Sequence, residues 1–281
     1  MKLKTAEVTE RIAAEVRALL ADGSDAQTLM QALRRLAKWR AFLLEGQIEK
    51  RGPGRIPAGP FKGMAYPVRA SEGARLPRML GCYEASLAPV IEEIIARAYP
   101  LVCDIGAAEG YYAVGLARRM PGSRVMARDG DARAQRLCAR LGAANDVADR
   151  IEIGPPMGHA DLDTLPAGQT VLICDIEGAE VDLLDHDRAP GLRHVDILVE
   201  VHEAIHPGAV DLLTHRFADS HDIRRIDRKL DDSALTGWME QLSDLDRLLL
   251  LWEWRATPTP WLWMTRRTAH PPQPFLPQEA P

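Results

Sequence analysis

The chain of 281 residues has no run of about 18 uncharged apolar residues, so no segment reads as a membrane span. Its four cysteines, Cys82, Cys103, Cys138 and Cys174, are widely scattered and form no C-x-x-C pair. That spacing excludes a disulfide framework, and without an H-x-x-x-H or Cys/His cluster nothing reads as a zinc site. Cys103 and Cys174 lie inside apolar runs and read as small core residues. Neither sign of charge dominates: 35 Lys and Arg against 40 Asp and Glu leave a formal charge of -5. Nothing global therefore draws the molecule to nucleic acid or anionic lipid. The first residues carry charges where a signal peptide needs an apolar stretch, so the expected compartment is the cytoplasm. Internal repeats are absent.

What remains is an ordinary globular composition, 46% hydrophobic and 27% charged. Residues 1–58 read as an amino-terminal helical extension, either a lid or a dimerisation arm. Val8, Ile12, Val16 and Leu19 recur at helical spacing; Ser24 and Gln27 match a capping box ahead of Leu29, Leu33, Leu36 and Leu43. Residues 51–63 are rich in proline and glycine and read as a linker. A helix is expected over 87–98, with Val90, Ile91, Ile94 and Ile95 as its apolar stripe. From residue 101 short apolar strands alternate with helices: strands at 101–104, 124–127, 150–153, 171–174 and 196–201, helices at 112–120 and 132–141. This pattern predicts an α/β fold with a mostly parallel sheet and helices on both faces, spanning residues 59–268. Segments 223–227 and 261–264 supply a final antiparallel pair. Residues 269–281 are proline-rich and read as a mobile tail.

The most informative segment is Asp104-Ile105-Gly106-Ala107-Ala108-Glu109-Gly110. An apolar strand ends in an acid, enters a glycine turn and opens a helix. A dinucleotide fingerprint would have glycine at position 108, and its helix terminus would face a pyrophosphate. Here that position is Ala108, and Asp104 and Glu109 bring carboxylates beside the turn, which suits a ligand with a cationic amine and no phosphate. Nineteen residues past Gly110, the second strand ends at Asp129, placed to accept ribose hydroxyl hydrogen bonds, with Asp131 as second choice.

These residues, together with Cys174-Asp175-Ile176-Glu177-Gly178-Ala179-Glu180 and Glu200-Val201-His202-Glu203, resemble class I S-adenosylmethionine-dependent methyltransferases of the FkbM type. The resemblance covers roughly residues 59–264. It implies a Rossmann-like methyltransferase fold with S-adenosyl-L-methionine as cofactor. Asp104, Gly106, Ala107, Glu109 and Gly110 would line its methionine part, Asp129 its ribose and Asp161 its adenine, while Tyr83 and Glu84 would close over its amino-acid end. Asp175 would sit at the same crevice. Asp175, Glu177 and His202 are the candidates for catalysis, a carboxylate or imidazole there serving as base for the methyl acceptor. Asp175, Glu177, Glu200 and His202 together are also a candidate oxygen/nitrogen set for a divalent metal, which is not the favoured reading. The alternative role of Asp175 and Glu177 is that of acids at a turn and helix start, and that of His202 a satisfied structural histidine.

The resulting reading is methyl transfer to a small-molecule oxygen or nitrogen acceptor in specialised metabolism, with a homodimer as an option. The competing readings are a catalytically silent cofactor-binding subunit, a non-methyl transfer or cyclisation with the same cofactor, and an NAD-linked oxidoreductase, which Ala108 disfavours. His206, His215 and His221 stand singly in polar contexts and read as surface residues. Trp252 and Trp254, like Trp261 and Trp263, alternate as on strand faces; most read as core, with one or two lining an acceptor pocket.

Overall fold

A computed structural model describes residues 5–23, 25–52 and 54–267; Ser24 and the proline-rich tail expected at 269–281 lie outside these. Seven strands form one sheet: β1 (Leu101–Ile105), β2 (Arg124–Arg128), β3 (Ile151–Gly154), β4 (Thr170–Cys174), β5 (Asp196–Glu200), β6 (His221–Ile226) and β7 (Trp261–Arg266). Their order is β3-β2-β1-β4-β5-β7-β6. The first five pair in parallel, and β7 runs antiparallel between β5 and β6. The fold is the expected Rossmann-like α/β arrangement, and the closing antiparallel pair is inserted beside β5.

The central strands read as unbroken apolar runs because both faces are covered. Alternation sends Val102, Val171, Ile173, Leu198, Trp261 and Trp263 to one core, under α4 (Ala88–Arg97), α5 (Tyr111–Arg119) and α6 (Ala132–Ala143). Cys103, Leu172, Ile197, Val199, Leu262 and Met264 face the other, with α7 (His159–Asp163), α8 (Glu180–Leu183) and α9 (Ala209–Phe217) on that side. All four cysteines are buried free thiols. No helix among the described residues is long and apolar enough to cross a membrane.

The amino-terminal helices α1 (Thr5–Asp22) and α2 (Ala26–Arg51) pack together, and α2 also packs on α3 (Arg75–Leu80) and α10 (Asp244–Leu250). Ala41, Leu44 and Ile48 of α2 join Leu76, Leu80, Leu249 and Leu250 in a third apolar cluster. Arg40 makes a two-pronged contact with Asp246, at 2.7 and 2.6 Å. Leu29, Leu33 and Leu36 of the apolar series are exposed, because the carboxyl half of α2 makes the contact. Among the described residues the helix is capped by Asp25, whose carboxylate accepts from the Thr28 backbone N–H at 2.7 Å.

Three further expectations change. The apparent linker is tied into the core: Ile56, Phe61 and Met64 are buried, and Phe61 lies so close to Gly115 of α5 that a Cβ there would come within 2.5 Å of its ring. Proline and glycine shape turns here, while the apolar positions between them anchor the segment. His221 is buried, its Nε2 2.8 Å from the Val195 carbonyl oxygen, and burial keeps its pKa below the usual imidazole value. Trp252 and Trp254 lie on an irregular loop before β7, where Trp254 takes a left-handed φ of 67°.

Candidate active site

From β1 the chain winds outward through β2 and β3, then returns to β4 on the other flank. The carboxyl ends of β1 and β4 therefore frame a topological switch point, where open α/β sheets bind ligands. A cavity of about 750 Å³ opens there, within the range of small-ligand sites. In the turn after β1, Gly106 has φ 81° and Gly110 has φ 89°. A Cβ on Gly106 would lie 1.6 Å from the Asp175 carbonyl oxygen, and one on Gly110 2.6 Å from Cys138 Sγ. The first glycine thus lets β1 close on the β4 loop, and the second lets α5 approach α6. Ala108 between them also has a positive φ, an unusual state for a residue with a side chain. Its backbone N–H donates to Asp129 Oδ2 at 2.8 Å, while Oδ1 accepts from the Asp131 N–H at 2.7 Å. The acid at the tip of β2 is thereby braced against the glycine turn.

His202 follows β5, and its Nδ1 lies 2.9 Å from Glu180 Oε1. The same oxygen accepts backbone N–H groups of Ile176 and Gly178, both at 3.1 Å. With Nδ1–H given to this fixed carboxylate, Nε2 is the free ring nitrogen. It stands 3.4 Å from Glu177 and 3.8 Å from Asp175. Burial opposes a charge on the ring, yet the Glu180 hydrogen bond and the charges of Glu180, Glu200 and Glu177 outweigh it, so the pKa is raised. Burial, followed by the charges of Glu200 and Glu84, pushes Asp175 well above the usual carboxylate range. Its Oδ1 is buried without a hydrogen-bond partner.

Behind these groups lies an ionic cluster that sequence patterning does not disclose. The Arg255 guanidinium reaches Glu84, Glu200 and Glu253, with Thr259 bonded to Glu200. Tyr112 donates to Glu84, and Arg228 pairs with Glu253 at 2.7 Å. Burial and then Glu200 push Glu84 up to about 7. Arg78 is a second buried cation in the cavity wall, stacked 4.0 Å over the Tyr83 ring and 3.2 Å from Glu109.

Several residues expected around a cofactor take other places. Gly106, Tyr83, Asp129, Asp175, Glu177, Glu200 and His202 line the cavity. Ala107 is buried in the core, and Gly110 is spent on helix packing. Glu109 is wholly buried, accepting from Tyr66 Oη at 2.6 Å and from Ser71 at 2.9 Å, so it fixes the segment before α3 and does not face the cavity. Glu84 is engaged by Arg255 behind the wall. Asp161 is exposed and accepts from the Gly158 N–H at 2.8 Å, capping α7 beside a separate cavity.

Asp104 lies beneath the turn with Oδ2 unpartnered, and burial pushes its carboxyl up to about 7. Between about pH 4 and 7 the folded chain holds a proton that the unfolded chain releases, so stability falls as pH rises through that window. Asp104→Asn is expected to gain on the order of 1–3 kcal/mol at pH 8 and nothing at pH 4, read from urea denaturation at both.

Asp175, Glu200 and His202 offer ligand atoms within 4.8 Å of one another, while Glu177 lies outside that set. Glu200 is already paired with Arg255, so a cation here would meet a standing positive charge. The donor set suits a metal poorly, and no step is assigned to one.

No family model matches the chain, and no curated protein matches it. Among solved structures it is similar to an O-methyltransferase from Bacillus cereus in complex with SAH, with 10% identity, a TM-score of 0.44, and coverage of 71% of this chain and 84% of that one. It is also similar to the O-methyltransferase TomG from Streptomyces achromogenes, involved in tomaymycin synthesis, in complex with SAM (15% identity, TM-score 0.41, 70% and 82% covered). A third is the C-terminal domain of precorrin-6Y C5,15-methyltransferase from Rhodobacter capsulatus (18% identity, TM-score 0.40, 64% and 89% covered).

Proposed function

We propose that the chain is an S-adenosylmethionine-dependent methyltransferase that acts on a hydroxyl or amine of a small-molecule acceptor. The observation that carries this reading is the Glu180–His202 pair, set beside Asp175 at the switch point and sharing one cavity with the glycine turn that Asp129 braces. The residues fit such a cofactor. Asp129 presents a carboxylate where a ribose would lie, Glu72 and Asp175 offer carboxyl oxygens to an amine, and the buried Arg78 guanidinium faces a carboxylate. The cofactor, when bound, supplies an electrophilic methyl group. With that cofactor in place the S–CH3 bond would break, leaving the neutral thioether of S-adenosylhomocysteine, as the acceptor bonds the methyl carbon; His202 Nε2 would take the acceptor's proton, and the Glu180 carboxylate would stabilise the imidazolium. Glu177, 3.4 Å from Nε2, favours the same charge. Positioning in a partly desolvated crevice supplies the remaining acceleration. The FkbM-type assignment rests on the resemblance of the glycine-turn and Asp175–Glu180 motifs.

Calorimetric titration with S-adenosylmethionine and S-adenosylhomocysteine tests the cofactor. Asp129→Ala is expected to weaken both roughly tenfold to a hundredfold, the loss of hydrogen bonds to a charged group. Unchanged affinity in that variant would place the cofactor elsewhere, and tight NADH binding by the wild type would replace the reading altogether.

A further inference from the structure

Lys38 of α2 is the point at which the amino-terminal helices reach the cavity wall. Its Nζ sits 4.2 Å over the ring of Trp254, and Arg34, one turn earlier, donates to the Trp254 carbonyl oxygen at 3.3 Å. Among the described residues neither cation has an ion-pair partner. Like charges four residues apart on a helix repel. Lys38 and Arg34 are exposed at the cavity rim, and partial burial and then Arg34 hold the Lys38 pKa below the usual ammonium value. Trp254 adds two tensions: its backbone is left-handed, and its indole N–H is buried with no acceptor. This stretch of wall holds donors and positive charge, whereas Asp175, Glu177 and Glu200 elsewhere in the cavity are acceptors.

We propose that the methyl acceptor carries a carboxylate, and that Lys38 on its Trp254 platform receives it while the acceptor's hydroxyl meets His202. The proposal rests on the methyltransferase reading and names its substrate class. A carboxylate fits better than a phosphate, because a dianion would be repelled by the acids of the same cavity. Lys38 becomes a specificity-determining residue, and α2 a wall of the acceptor site.

The test is calorimetry on the full chain saturated with S-adenosylhomocysteine, using matched pairs: para-hydroxybenzoate against its amide, lactate against lactamide, and inorganic phosphate. At least one acid is expected to bind roughly fivefold tighter than its amide, the worth of one partly exposed charge pair. Lys38→Gln should erase that preference and Lys38→Arg should keep it. No acid preferred over its amide, or a preference that survives Lys38→Gln, overturns the proposal. So does a lower Tm in Lys38→Gln with the preference intact, since that marks Lys38 as packing only. Phosphate binding tighter than every acid overturns the choice of carboxylate. Failure to bind S-adenosylhomocysteine at all sinks the underlying reading, and this one with it.

Discussion

Replacing His202 by alanine should lower turnover by roughly 10²- to 10⁴-fold, the usual contribution of a positioned general base. Cofactor affinity should stay within about a factor of two, because the group acts on the acceptor's proton. Steady-state assays with a turned-over acceptor, paired with cofactor titration, separate the two. The pH profile adds a sharper check. A base works only when unprotonated, so turnover falls as pH drops through the His202 pKa, which stands above the ordinary imidazole value. Glu180→Gln removes the neighbouring charge that most favours the imidazolium, and should shift the acid limb to lower pH as well as reduce the rate. An unmoved limb in Glu180→Gln, or near-normal turnover in His202→Ala, would remove this pair from the chemistry.

Arg255→Met is the second variant with a large expected effect. The guanidinium is shared by Glu84, Glu200 and Glu253, all buried. Removing one partner of a buried ionic set leaves uncompensated charge and costs about 3–5 kcal/mol. The loss should depend on pH with a definite sign. Glu84 in the intact cluster already stands at about 7, well above the usual carboxylate value, and without Arg255 it rises further. A carboxyl with a raised folded-state pKa penalises the folded chain above its unfolded pKa and not below it. Acidification from pH 8 towards 5 should therefore shrink the gap between variant and wild type as the acids take up protons. Arg255→Lys keeps one charge but not the fork, and should fall in between. Urea denaturation at both pH values measures all three proteins. A variant as stable as wild type at pH 8 would mean that the acids are neutral in the folded chain.

The fold was legible where the signal is local. Strand, turn and helix followed one another through residues 101–201 with apolar runs and glycine punctuation, and the sheet has the expected parallel core. Asp129, Asp175 and His202 were visible because each comes within two residues of a strand's carboxyl end, the place where an open α/β sheet presents side chains to ligands. Glu109 looked like part of the same turn but faces the other way, since Arg78 and Tyr66 are folded over it from outside the motif. The largest omissions have no local signature. Arg255 reaches Glu84 across 171 positions, and it sits on a loop whose tryptophan spacing mimics a strand. Lys38 lies on a helix whose leucine spacing does not tell which face meets the cavity. In each case the missing information was which distant segment packs there, and periodicity does not carry it.

The reversal of β7 has a consequence for how such a site can change. Because β7 runs opposite to β5, its first residue, Trp261, pairs with Glu200, the last residue of β5. The loop that precedes β7 is thus delivered to the same rim as His202. A parallel strand at that position would start at the far edge of the sheet, about 17 Å away at 3.3–3.4 Å per residue over the five of β5, and would carry Trp254 and Arg255 out of reach. One inverted strand therefore separates duties along the chain. On the proposed function, the turns after β1 and β2 hold the cofactor half, and the loop before β7, with Lys38 of α2, holds the acceptor half. On that reading, substitutions at residues 256–258, which spare Arg255 and its partners Glu253 and Thr259, are the economical route to new acceptors in this scaffold.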